Sequence, residues 1–161
     1  MTTASQILLL ASALGAGLTA GVCFAFSSFL LTAFDRLGSA AAIRTMQSIN
    51  ATILRSGAIV VWFATVLLGI AAAILAEATT IAAVAAALYA IGAVLVTGGR
   101  NVPLNEALDR IAPDSDEGAR AWHDYRRRWG RWNTLRTTLF VAATAGFALA
   151  LAAGRSGLPG A

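Results

Sequence analysis

The sequence predicts an all-α integral membrane protein: a four-helix bundle with a cytoplasmic helical extension between helices 3 and 4. Of its 161 residues, 58% are hydrophobic and 12% are charged, whereas about a quarter of an average soluble chain is charged. Four apolar, almost uncharged stretches are each long enough to cross the roughly 30 Å hydrocarbon core of a bilayer as a helix. We therefore treat residues 1–161 as one membrane domain.

The transmembrane helices are expected at about residues 7–34, 53–76, 79–98 and 135–153. The first stretch is too long, and lacks the basic start, for a cleaved signal peptide. Only a short turn at Glu77 separates the second and third stretches, which predicts a tight helical hairpin. The fourth ends at Gly154 with Pro159 beyond it, which is typical of a helix exit.

Arginine placement predicts the orientation. The chain has no lysine, and eleven of its twelve arginines lie in or beside two segments, about residues 35–52 and 100–132. Because cytoplasmic loops accumulate arginine, we expect both segments in the cytoplasm, both termini on the periplasmic side, and the protein in the inner (cell) membrane. The net charge of +4 is then explained by arginines that orient the protein in the membrane, and no nucleic-acid partner is expected.

The first cytoplasmic segment reads as a short amphipathic helix lying at the membrane interface. Apolar residues recur at helical spacing, with polar residues between them: Ile43, Met46, Ile49 and Ile53 against Arg44, Gln47 and Asn50.

The second segment contains a turn or cap at Asn101 to Pro103, a short helix through Ile111 and a break at Pro113. Asp114 and Glu117 have the spacing of a capping box. A long helix then runs into the membrane.

One face of that last helix is both aromatic and polar. Its members follow steps of three and four: Trp122, Arg126, Trp129, Asn133, Arg136 and Phe140. In one interpretation its inner end points into the bundle, because unpaired polar groups are costly in lipid. In the other, Trp122, Trp129 and Trp132 anchor the headgroup level and Arg136 extends toward it.

Asn101 and Asn105 form a second polar pair, four residues apart. Capping would explain Asn101 but not Asn105. Because both segments lie on the same side of the membrane, we expect Gln47 and Asn50 to complete a cluster with them.

Helix 1 carries small residues at every fourth position: Ala13, Gly17, Gly21 and Ala25. Such a stripe lets another backbone approach closely, either inside the bundle or in a homo-oligomer formed through the Gly17/Gly21 face. Cys23 is the single cysteine, so it has no disulfide partner in the chain and reads as a buried apolar residue.

The sequence lacks the residues that several kinds of functional site require. With one histidine, His123, the chain has no two-histidine iron, bis-histidine haem or Glu-x-x-His di-iron ligand set, so no metal or cofactor is expected. No Gly-rich phosphate loop follows a strand. No carboxylate lies within a span to relay protons, which argues against transport.

Four motifs together resemble the anthrone oxygenase family of four-helix membrane proteins: AGVCFAFSSF in helix 1, MQSIN, NVPLN, and W-x-x-Y-x-x-x-W-x-x-x-N-x-x-R leading into helix 4. The resemblance spans nearly the whole chain. The residues that it carries over are Gln47, Asn50, Asn101, Pro103, Asn105, Trp122, Trp129, Asn133 and Arg136.

The family's named activity is oxidation of an anthrone to an anthraquinone by O₂ without an evident redox cofactor. The resemblance thus implies an oxygenase acting on an activated aromatic or phenolic, polyketide-like substrate. Indole faces would hold the flat substrate, while Asn133 and Arg136 would stabilise the enolate. His123 is the candidate base, because histidine titrates near neutrality. Substrate-binding candidates are Gln47, Asn50, Asn101, Asn105, Trp122 and Trp129.

The alternative is a non-enzymatic membrane module, in which the same polar and aromatic residues bind a lipid, a quinone or a partner membrane protein. The oxygenase is the function that we predict, and the sequence leaves this alternative open, since one fold can serve either function.

Overall fold

The computed structural model describes residues 1–76 and 79–156. The expected turn at Glu77 and the tail around Pro159 lie outside these residues. The α-helices are α1 (Thr3–Ala25), α2 (Leu31–Asp35), α3 (Ser39–Ile53), α4 (Gly57–Leu75), α5 (Thr79–Ala90), α6 (Val102–Asp109) and α7 (Asp116–Ser156). Two π-helical segments, Phe26–Leu30 and Ile91–Asn101, join α1 to α2 and α5 to α6. No strand occurs in the described ranges, so the predicted all-α class is confirmed.

Because the π-helical segments do not interrupt the helices, the chain forms four long rods. They cover Thr3–Asp35, Gly57–Leu75, Thr80–Asp109 and Asp116–Gly154, and each is long and apolar enough to cross a membrane. This confirms the predicted membrane four-helix bundle. The second rod begins later than residue 53, because α3 continues through Ile53 and the Ser56 hydroxyl caps α4 by accepting from Ala58 N at 3.3 Å.

The four rods pack in a ring, with α1 and α5 each contacting both α4 and α7. The core is made mostly of alanines, with Phe140 and Phe147 of α7 fully buried among them. Small residues are required where helices approach: a Cβ on Gly15 would collide with the Thr65 hydroxyl of α4. This is the close approach of α1 to α4, and Gly15 lies off the stripe that the sequence singled out.

The two ends of the bundle differ in chemistry. At one end Ser5 Oγ donates to the Leu75 carbonyl at 2.8 Å, which holds the start of α1 beside the end of α4. At the other end, here called the arginine-rich end, α3 and α6 pack on α7. Ile43 and Met46 of α3 are buried there, so the apolar face of α3 packs against protein.

Two local expectations are wrong. Asn101 is neither a turn nor a cap: its backbone is α-helical (φ −73°, ψ −43°), its side chain caps nothing, and the helix continues into α6 with Pro103 in the first turn. At the start of α7 the cap is Ser115, whose hydroxyl accepts from Gly118 N at 3.2 Å. Asp114 instead forms a 2.7 Å ion pair with Arg44 of α3, so the expected capping box is absent.

Candidate functional site: a buried arginine among indole rings

The aromatic and polar face of α7 points into the protein. Trp122, Trp129, Asn133 and Arg136 are all buried, and Asn133 has no exposed surface. The interpretation of this face as an interfacial belt is therefore wrong for these residues.

Arg136 and Asn133 form the centre of a hydrogen-bond network. Arg136 Nε donates to Asn133 Oδ1 at 2.9 Å, and its NH1 donates to Thr97 Oγ1 at 3.3 Å. Asn133 Nδ2 in turn donates to the Cys23 carbonyl at 2.8 Å and to Ser27 Oγ at 2.7 Å. The network thus joins α7 to α1 and to both π-helical segments.

The Arg136 guanidinium lies over two indole rings. Its Cζ is 5.2 Å from the Trp129 ring centroid and 5.5 Å from that of Trp62 on α4. In the part of the chain that the structure describes, Arg136 has no ion pair with a carboxylate. Burying a charge is costly, and cation–π contact offsets part of that cost. The site is therefore a positively charged, largely dehydrated position without an opposite charge.

Both π-helical segments supply side chains to this site. The first, Phe26–Leu30, contributes Ser27 and places the Phe26 ring edge-on to Trp129, with ring centroids 5.4 Å apart. The second, Ile91–Asn101, contributes Thr97, whose hydroxyl donates to the Gly92 carbonyl at 2.8 Å, and ends at Asn101. π-helical turns are rare and recur at functional sites, which makes this region a candidate site.

Two buried polar atoms in this region lack a hydrogen-bond partner among the described residues: Asn101 Oδ1 and Trp129 Nε1. The two residues touch, since Asn101 Nδ2 donates to the Trp129 carbonyl at 3.3 Å. Buried polar groups are nearly always paired. The free acceptor on Asn101 and the free donor on Trp129, close to a buried cation, are therefore unused hydrogen-bonding groups that a polar ligand would satisfy.

Further along α7, three rings stack. Tyr125 lies between Trp122 and Trp129, at centroid distances of 5.7 and 5.9 Å and interplanar angles of 27° and 24°. The Tyr125 hydroxyl donates to Asn105 Oδ1 at 2.9 Å, and Trp122 Nε1 donates to Asp35 Oδ1 at 2.9 Å. Asp35 also forms an ion pair with Arg126.

The structure does not bring all the candidate residues together. Gln47 Nε2 donates to the carbonyls of Leu108 and Ile111 at 2.9 and 3.0 Å, so it provides hydrogen bonds to backbone carbonyls at the end of α6. Asn50 Nδ2 donates to Asp109 Oδ1 at 3.4 Å.

The Trp122 end of the face is far from the Arg136 end. At 1.5 Å per residue, the two positions are about 21 Å apart along α7. His123 belongs to that distant end, and its side chain is 78% exposed with Asp124 as its neighbour. Asn101, Trp129, Asn133 and Arg136 thus form one site, and Tyr125 connects it to Trp122 and Asn105. Gln47, Asn50 and His123 are separate from it.

Sequence reasoning missed Trp62, Thr97, Ser27 and Asp35. Trp62 and Thr97 could have been singled out from the sequence, because each carries a hydrogen-bonding group inside an otherwise apolar span. Whether their side chains contact Arg136 depends on how α4 and the second π-helical segment pack around α7. Among the described residues, no group of three or more His, Cys, Asp and Glu side chains is placed to hold a metal ion.

The family model for anthrone oxygenases matches residues 44–146, which is more than half of the chain. The chain belongs to the anthrone oxygenase family. The match runs from α3 to the last third of α7 and so includes Asn101, Trp129, Asn133 and Arg136 of the site. Comparison with curated proteins and with solved structures gave no match.

Proposed function

We propose that this member of the anthrone oxygenase family is a membrane-embedded oxygenase that uses O₂ to oxidise an activated aromatic substrate of the anthrone type. The supporting observation is the buried Arg136 guanidinium, which has no carboxylate partner among the described residues and lies over the indole whose Nε1 is unpaired. This arrangement suits an oxygen atom that becomes negatively charged during the reaction.

The chemistry begins with proton loss. A methylene flanked by two aromatic rings, para to a ring carbonyl as in an anthrone, ionises to an enolate whose negative charge resides largely on the oxygen. An arginine has five N–H donors, and Asn133 and Thr97 take two of those on Arg136. The remaining donors and Trp129 Nε1 bind the enolate oxygen. Asn101 Oδ1 accepts from a phenolic hydroxyl of the same substrate.

The enolate is the reductant. It transfers one electron to O₂, and the carbon radical and superoxide combine to form a peroxide anion, which takes back a proton from water. The resulting hydroperoxide loses water and leaves a carbonyl. The methylene and O₂ are thereby converted to a ketone and water, with atoms and electrons balanced. The protein binds, orients and stabilises, and none of its side chains changes oxidation state.

We assign no side chain as the base. His123 and Asp35 both lie toward the Trp122 end of α7, about 20 Å from Arg136. Instead, Arg136 and Trp129 make the bound substrate more acidic. A donor of this kind is worth about 3 kcal/mol, or about two pKa units, and the proton passes to water.

We also propose that the protein lies in the inner membrane with the arginine-rich end in the cytoplasm and both termini outside. The site then lies near the cytoplasmic surface, where a hydrophobic aromatic substrate partitions into the bilayer.

Purified protein should consume O₂ and convert an anthrone to the anthraquinone above the protein-free autoxidation rate. Trp129→Phe keeps an aromatic ring in the stack but removes the unpaired N–H, so kcat should fall about 100-fold or more, while the smaller ring lowers the melting temperature only in part and leaves the protein folded. Tyr125→Phe, which removes a buried hydroxyl already bonded to Asn105, is the matched control and should retain activity. Absence of protein-dependent oxidation would refute the function, and equal kcat for the two variants would refute the site.

A further inference from the structure

A pocket lies outside the Arg136 network, on the neighbouring face of α7. It is a groove of about 690 Å³ between the start of α6 and α7. Its walls include Arg100, Leu104, Arg128, Arg131, Trp132 and Leu135. None of these side chains bonds to Arg136 or Asn133. The groove is therefore a separate feature, and nothing in the proposed oxidation uses it.

The groove concentrates positive charge. Arg100, Arg128 and Arg131 are exposed, and none forms an ion pair with a carboxylate within residues 1–76 and 79–156. By contrast Arg44, Arg126 and Arg127 of the same end are paired with Asp114, Asp35 and Asp124. The Arg100 Cζ is held 5.0 Å above the Trp132 ring. The three guanidinium groups thus share one concave surface with no anion to neutralise them.

The groove also lies at the edge of the apolar span. After Arg136 the helix carries no charged residue through Gly154, and Leu104 and Leu135 form an apolar part of the wall. Trp132 is a residue type that favours the headgroup level of a bilayer. An occupant must therefore present an anionic group to the arginines and an apolar part to the lipid-facing side.

We propose that this groove binds the headgroup of an anionic phospholipid from the leaflet at the arginine-rich end. The phosphodiester accepts hydrogen bonds from Arg100, Arg128 and Arg131, a pairing that guanidinium geometry favours. The glycerol and the first acyl carbons lie along Leu104 and Leu135. The cavity volume falls within the usual range of about 300 to 1,000 Å³ for small-molecule sites.

Delipidated protein in detergent provides the test. Dioleoylphosphatidylglycerol, dioleoylphosphatidylcholine and inorganic phosphate are titrated separately, with melting temperature and native mass spectrometry as readouts. Phosphatidylglycerol should bind with one-to-one stoichiometry and raise the melting temperature, while phosphatidylcholine and inorganic phosphate should do so weakly or not at all.

The matched variants carry the same charge change. In R100Q/R128Q/R131Q the affinity for phosphatidylglycerol should fall roughly 100-fold. In R36Q/R110Q/R120Q, which removes three exposed arginines from elsewhere at the same end, it should stay near the wild-type value. Equal losses in both variants would show that binding follows net charge and would overturn the proposal.

The unmodified protein tests the proposal even if the triple variant does not fold. Equal affinity for phosphatidylcholine and phosphatidylglycerol would exclude recognition of the anionic headgroup. A stabilisation by inorganic phosphate equal to that by phosphatidylglycerol would assign the groove to a free anion and overturn the lipid assignment.

Discussion

Arg136 Nε donates a 2.9 Å hydrogen bond to Asn133 Oδ1, one turn earlier on the same helix. This bond fixes the direction of the Asn133 amide, because its oxygen must face the guanidinium. The amide nitrogen then faces α1, where it donates to the Cys23 carbonyl and to Ser27 Oγ. One asparagine thus positions the cation and ties α7 to α1.

Asn133→Ala should lower the free energy of unfolding by about 3 kcal/mol, because it removes three hydrogen bonds and leaves buried donors and acceptors unpaired. Chemical or thermal denaturation in detergent measures the loss. Thr138→Ala, which removes an exposed hydroxyl bonded to its own helix, is the control and should be nearly neutral. An Asn133→Ala protein of wild-type stability would show that the amide does not hold the helices together.

Gln47→Ala tests whether Gln47 binds substrate or supports α6. Its amide nitrogen serves two carbonyls at the end of α6, so its loss should cost about 1 to 2 kcal/mol of stability with KM for the aromatic substrate unchanged. Ser48→Ala, at the exposed neighbouring position, is the control. A raised KM without a stability change would restore the substrate-binding role predicted from the sequence.

The small residues of α1 should differ sharply in their tolerance of substitution. A Cβ at Gly15 collides with Thr65, whereas a Cβ at Gly21 meets nothing within 4 Å. Gly15→Ala should therefore lower the melting temperature strongly, and Gly21→Ala should not. Similar melting temperatures for the two variants would contradict this packing.

The homo-oligomer expected through the Gly17/Gly21 face needs its own measurement. A Cβ added at Gly17 would lie 3.6 Å from the Thr144 methyl of α7, so Gly17 faces α7 within the chain. Gly21→Leu should shift a dimer to monomer in light scattering while leaving the monomer folded. An unchanged oligomeric state would exclude this face as the subunit contact.

Orientation can be measured with an impermeant thiol reagent on intact cells. In a Cys23→Ala background, a cysteine at Ala4 should be labelled and one at Glu117 should be protected until the cells are opened. Both positions are exposed in the structure, so burial does not protect either. Labelling of Glu117→Cys but not of Ala4→Cys would invert the topology.

Much of the fold follows from the sequence, because uncharged runs of about 20 residues have few other stable solutions. The spacing of Trp129, Asn133 and Arg136 likewise predicted that they share one face of α7, but it left open whether that face is buried. What could not be predicted depends on contacts between helices: Trp62 of α4 reaches Arg136 of α7 across the bundle. Ser115, and not Asp114, caps α7, while Asp114 pairs with Arg44 of α3 in a tertiary contact that the local sequence does not reveal.

The π-helical segment Phe26–Leu30 has a consequence for helical phase. A π-helical turn accommodates one residue more than an α-helical turn. It therefore acts as a one-residue insertion, and the side chains of the flanking α-helical turns keep the directions that they would have in an uninterrupted α-helix. Removing one residue there would let the rod continue as regular α-helix, with Leu9 and Phe34 keeping their directions, but the widened turn that aims Ser27 at Asn133 would close. Chain length at this point can therefore change the site while sparing the bundle, and a relative one residue shorter here would share the architecture without sharing the chemistry.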